Sequence, residues 1–118
     1  MNTGRIDFNK VCKDYGIRIC SYEDAPQAVK KLGLNRASTT GIAFRTLDGT
    51  PAILFKEGRP SAETRFTIAH ELGHILLGHL DYRRSFDEQY PGFAESEANY
   101  FAVALLTHDL ISQYGQAD

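Results

Sequence analysis

The chain has no tryptophan, one methionine and two cysteines among its 118 residues. Two thiols, Cys12 and Cys20, cannot build the framework of a disulfide-stapled domain, and their spacing fits neither a zinc knuckle nor a Cys-x-x-Cys redox pair. They are expected to be reduced and half-buried. No run approaches eighteen consecutive apolar residues, so no membrane-spanning helix is expected. The first residues carry no apolar stretch of signal-peptide type, which makes the cytoplasm the expected location. An excess of one charge is missing as well. Thirteen Lys and Arg stand against 15 Asp and Glu, for a net charge of −2, so direct nucleic-acid binding is not expected. What remains is the composition of one ordinary domain over residues 1–118. A chain of that size buries about two-thirds of its unfolded surface and needs no staples.

The periodicities predict an α+β fold. Residues 5–15 place Ile6, Phe8, Val11, Cys12 and Tyr15 at near-helical spacing, with Gly16 as a stop. Residues 17–20 alternate as a short strand. Residues 24–32 read as a second short helix, with Asp24 as N-cap, Pro26 in the first turn and Gly33 at the end. Residues 41–46 and 51–56 flank Asp48-Gly49 and predict a β-hairpin. With the 17–20 strand this makes a small three-stranded sheet. A long helix follows, from Ser61 as N-cap to Gly78. Residues 80–93 are polar but carry Tyr82, Phe86, Tyr90 and Phe93, which predicts a short helix laying an aromatic stripe on the core. A wall or lid of a cleft is the alternative. A last helix runs from about Ala94 to His108 or beyond, burying Ala98, Phe101, Ala102, Leu105 and Leu106.

The chemistry concentrates in the long helix. His70-Glu71-Leu72-Gly73-His74 is an H-E-x-x-H motif, and residues four apart lie on one helical face. Two imidazoles so held can share a tetrahedral zinc ion, leaving room for a third ligand and a water. Glu71 stands where a carboxylate takes a proton from that water. Phe66, Ile68, Ala69, Leu72, Ile75, Leu76 and Leu77 bury most of the helix, so the polar row Thr67, His70, Glu71 and His74 is costly unless something compensates it. Gly73, unfavourable inside a helix by about 1 kcal/mol, suggests close approach of another backbone, such as a substrate's.

A third ligand has three candidates. His79 lies one place off the long zincin pattern, beyond the helix end, and suits a helix-terminal or cleft-rim role better. Glu95 and Glu97 lie on the following helix, where a carboxylate completes a His₂Glu site; two apart, they point about 200° away from each other, so only one can face the metal. An oxyanion donor could come from Tyr82, Tyr90, Tyr100, His79 or Arg65.

The string from Arg65 to His74 (R-F-T-I-A-H-E-L-G-H) resembles the signature of the ImmA/IrrE-type zinc metallopeptidases. The string from Glu97 to Leu106 (E-A-N-Y-F-A-V-A-L-L) is similar to that family's second block, E-A-N-x-F-A-x-x-L-L. The likeness covers roughly residues 59–107 and departs at Thr107-His108, where the family usually has a residue and then proline. It implies a zincin-like fold with a ligand-bearing second helix, Zn2+ held by His70, His74 and Glu97, and Glu71 as general base. It also implies an endopeptidase whose protein substrate is a helix-turn-helix transcriptional repressor, cleaved to derepress phage, mobile-element or stress genes. The alternative is a zinc-containing module that regulates a repressor or toxin partner by contact, without hydrolysis.

Overall fold

The computed structural model describes residues 5–83 and 88–114. Helix α1 (Phe8–Asp14) opens on Asp7, whose carboxylate accepts from the Lys10 N–H at 3.2 Å. Gly16, at φ +69°, turns the chain back so that the Ile17 N–H reaches the Cys12 carbonyl at 2.7 Å and β1 (Arg18–Ser21) can begin. Helix α2 (Pro26–Leu32) has its proline in the first turn and ends at a left-handed Gly33. Asp24 does not cap it. Ala25 holds the cap position without a side-chain bond, and the Asp24 N–H is itself taken by Ser21 Oγ at 3.1 Å.

Strands β2 (Gly41–Arg45) and β3 (Pro51–Phe55) form the expected antiparallel hairpin, and β1 joins the other side of β3 in parallel, giving the order β1-β3-β2. Being central, β3 is buried on both faces. Ile53 joins a core of Phe8, Cys12, Ile17, Ile68, Ala69, Leu72 and Ala102, while Leu54 faces Tyr22, Val29 and Ile42 on the side of α2.

Helix α3 (Ser61–Leu76) packs between this sheet and α4 (Gly92–Tyr114). Its cap position is Pro60, not Ser61. Beyond it, Gly78 at φ +78° leads into a 3-10 turn, His79–Tyr82. That turn is the only helical structure between α3 and α4 among the described residues, and the described members of the expected aromatic stripe do not lie together on the core. Tyr82 and Phe93 are more than half exposed and meet edge to face at 5.3 Å, Tyr90 turns inward, and Phe86 lies outside the described residues. Among the described residues no helix is long and apolar enough to cross a membrane.

Two contacts align α3 and α4 antiparallel. A Cβ at Gly73 would lie 3.0 Å from Phe101 Cδ1 and 3.2 Å from Phe101 Cβ, so the glycine admits a side chain of α4 rather than the substrate backbone expected. At the far end, Arg65 Nη2 donates to Asp109 Oδ2 at 2.5 Å and to the Ile6 carbonyl at 3.1 Å, while Asp109 Oδ1 accepts from the Ile6 N–H at 2.7 Å. The guanidinium also lies over the Phe8 ring, 4.8 Å from its centroid. This buried clamp ties the N-terminal segment, α3 and α4 together. Removing one partner strands the other charge, so Asp109→Ala should cost about 3 kcal/mol of unfolding free energy. Asp109→Asn, which keeps an acceptor for Ile6, should cost less. Urea melts measure both, and a loss under about 1 kcal/mol would show the clamp to be idle.

Candidate metal centre

His70 and His74 project from one face of α3, and the first turn of α4 brings Glu95 against both. His70 Nε2 lies 3.1 Å from His74 Nε2 and 3.1 Å from Glu95 Oε1, and His74 Nε2 lies 3.3 Å from the same oxygen. Lone pairs converging in this way repel unless protons or a cation lie between them. Around a tetrahedral zinc with bonds of roughly 2.0–2.1 Å, ligand atoms stand about 3.3 Å apart. The three separations therefore fit a single bound ion, and the trio is the candidate metal group among the described residues.

Glu97, the residue expected to complete the trio, does not reach the pair. Two positions further along α4 it points away from Glu95, as helical geometry requires, and its Oε1 lies 2.7 Å from His79 Nε2. The sequence held the signal for this. Glu95 stands three before Ala98 and seven before Ala102, both fully buried, and so belongs to the face that α4 turns to α3. His79 is placed differently from expectation too. It is buried rather than on a rim, with Nδ1 2.9 Å from His74 Nδ1.

Glu71 lines the same cleft, of about 420 Å³, together with the three metal-site residues, Arg83 and Tyr90. Strand β2 forms another wall, and it can lie this close only because it starts on glycine. A Cβ at Gly41 would fall 2.4 Å from Thr67 Cγ2. Thr67 cannot easily yield, since its hydroxyl is held by Arg59 Nη1 at 2.8 Å. Burial pushes the Glu71 carboxyl up to about 7; Glu95 adds to the rise, while Arg83 and a hydrogen bond from the Ala43 backbone oppose it. A carboxyl poised there suits a general base at neutral pH. Burial, and then His70, His79 and Arg83, hold His74 down to about 3, so its imidazole is neutral, the form that can bind a metal.

The spacing arguments did not find Arg83. Its Nη2 donates to the Ala43 carbonyl at 2.5 Å, and its guanidinium lies 3.9 Å from the centroid of the Tyr90 ring, which itself stacks on His74 at 3.8 Å. Burial raises the Tyr90 phenol to about 12, so it keeps its proton. Of the five candidate oxyanion donors, only Tyr90 lines the cleft. Arg65 belongs to the clamp, His79 lies behind His74, and Tyr82 and Tyr100 are exposed.

The family model of the IrrE N-terminal-like domain, Peptidase_M78, matches residues 12–109, most of the chain. No curated protein and no solved structure shows a significant match.

Glu71 sets a stability signature for the metal-free protein. Its carboxyl ordinarily titrates near 4.5 and stands at about 7 in the fold, so the stability it contributes is complete below pH 4.5 and is lost as pH rises through 7. With metal removed by chelator, Glu71→Gln should be more stable than the wild type at pH 8, by up to about 3 kcal/mol, and the advantage should vanish near pH 4.5. Denaturant melts at the two pH values decide it; a difference independent of pH would count against the burial argument.

Proposed function

The chain belongs to the IrrE N-terminal-like (Peptidase_M78) family, and from that premise we propose that it is a zinc-dependent endopeptidase. The observation that carries the reading is the convergence of His70, His74 and Glu95 at 3.1–3.3 Å, beside a half-buried carboxyl standing near neutrality. His70, His74 and Glu95 would hold the ion; two imidazoles and a carboxylate suit zinc. When bound, the metal supplies the Lewis acidity that polarises a peptide carbonyl and acidifies water. Glu71 takes the proton of the attacking water and returns it to the leaving amine. The neutral Tyr90 phenol and the Arg83 guanidinium are the donors at hand for the developing oxyanion. Strand β2 is the sheet edge that borders the cleft. Its Ala43 carbonyl is taken by Arg83 and its Ala43 N–H by Glu71, so an extended substrate could pair with it only by displacing these or beside them, at Gly41.

The substrate class is a helix-turn-helix repressor, a reading supported by the likeness of the two sequence blocks to the ImmA/IrrE-type enzymes. A cytoplasmic setting is supported by the free thiols Cys12 and Cys20.

Elemental mass spectrometry should find about one zinc per chain, lost in His74→Ala and Glu95→Ala. Glu71→Gln should keep the zinc while cleaving a repressor encoded beside the gene about 10²–10⁴-fold more slowly. A Glu71→Gln protein as active as the wild type would overturn the mechanism. An intact repressor that still forms a complex with the zinc-loaded wild type would instead favour regulation by contact.

A further inference from the structure

Behind the metal pair lies a second row of polar groups that the hydrolytic reading leaves unused. His74 Nδ1, the ring nitrogen away from His70, is 2.9 Å from His79 Nδ1, and His79 Nε2 is 2.7 Å from Glu97 Oε1. Both imidazoles are 1 % exposed, whereas the Glu97 side chain reaches solvent.

Helical continuation would not make this row. A residue five beyond His74 would stand about 140° round the helix from it. Gly78, at φ +78°, breaks the helix and folds His79 back onto His74. Glu97 then meets His79 from α4, on the flank opposite the one that carries Glu95.

The proton positions follow from valence. Two Nδ1 atoms at 2.9 Å share one proton, so one ring donates and the other accepts. With a cation held by His70, His74 and Glu95, the lone pair of His74 must be on Nε2 and its proton on Nδ1. His79 Nδ1 is then the acceptor, the His79 proton sits on Nε2, and it is donated to an ionised Glu97. Each ring nitrogen in the row has one task and a partner for it. His70 has no such support, since its Nδ1 is buried without a partner among the described residues.

We infer that His79 and Glu97 are positioning residues that hold His74 in the Nδ1–H tautomer and so present its Nε2 to the metal. The inference rests on the reading of His70, His74 and Glu95 as the ligands. It gives the two glutamates of α4 separate work: Glu95 meets the ion, and Glu97 anchors the hydrogen-bond chain behind it. Outer partners of this kind typically raise metal affinity by about 10–100-fold.

The test uses the full chain, zinc competition against a chromophoric chelator, and long-range ¹H–¹⁵N spectra of the histidine rings. Replacing buried His79 could unfold the protein, so the variants are made at exposed Glu97. Glu97→Ala should bind zinc about 10–100-fold more weakly and should mix the tautomers of His79. Glu97→Gln should recover most of the affinity, because its amide oxygen still accepts from His79 Nε2–H, whereas a neutral amide could not replace a carboxylate ligand. Glu95→Ala should weaken binding more than either. If Glu97→Gln loses zinc as completely as Glu95→Ala, Glu97 is a ligand and the inference is overturned. If Glu97→Ala changes neither affinity nor tautomer, the row is idle and the inference again falls, with the metallopeptidase reading intact. A wild type that takes up no zinc would sink that reading and the inference with it.

Discussion

Two histidines and a glutamate on a helix packed between a sheet and a second helix cost several kcal/mol unless each finds a partner. The structure around α3 is arranged to supply those partners. Glu95 comes to His70 and His74 from α4, His79 comes to His74 from the 3-10 turn, and the Ala43 backbone and Arg83 come to Glu71. Glu71 is only partly compensated, as its raised pKa reflects. A carboxyl fully relieved of that burden would titrate low and be a poor base near neutrality. On the proposed mechanism, stability surrendered at this position is what keeps a base available there.

Holding Glu95 in place is a problem of alignment between two helices. Glu95 sits at one end of the α3–α4 contact, the Gly73–Phe101 contact near its middle, and the Arg65–Asp109 clamp at the other end. The glycine sets the separation, because any Cβ would have to push Phe101 away. The clamp sets the register, because a one-residue slip of α4 would carry Asp109 off both Arg65 and Ile6. Arg65 and Gly73 thus serve the centre from outside it. Their presence in the same short string as the candidate metal ligands has this mechanical basis.

The features legible in the sequence were those fixed by neighbours along the chain. The i, i+4 histidines, the hairpin around Asp48-Gly49, and the helix ends at Gly16, Gly33 and Gly78 depend on local backbone geometry and came out as expected. The choice between Glu95 and Glu97 depends instead on the rotation of α4 about its axis. That rotation is set by Ala94, Ala98 and Ala102, which are fully buried against α3, and Glu95 shares their face. The expectation for Glu97 followed a motif block that begins at that residue, while the helical phase of the buried alanines pointed one turn of reasoning further, to Glu95. Arg83 and Tyr90 were harder still. Both lie in the connection between α3 and α4: Arg83 falls in no periodic element, and Tyr90, though in the expected aromatic row and among the candidate donors, had no spacing that set it apart from Tyr82 or Tyr100.

That connection matters to how rigid the centre is. Tyr90 lies on the face of the His74 ring at an interplanar angle of 12°, Arg83 covers the far side of Tyr90, and His79 engages the ring edge at Nδ1. One candidate ligand is thereby held in rotation about its own axis and in tilt. His70 meets Glu95 at 3.1 Å, with Phe66 at 6.3 Å and the edge of His74 at 4.7 Å beside its ring, and its Nδ1 has no partner among the described residues. Ordering a side chain on binding costs about 0.5–1.5 kcal/mol, and a ligand already ordered in the fold escapes that cost. Concentrating the support on one histidine preorganises the candidate group through few side chains.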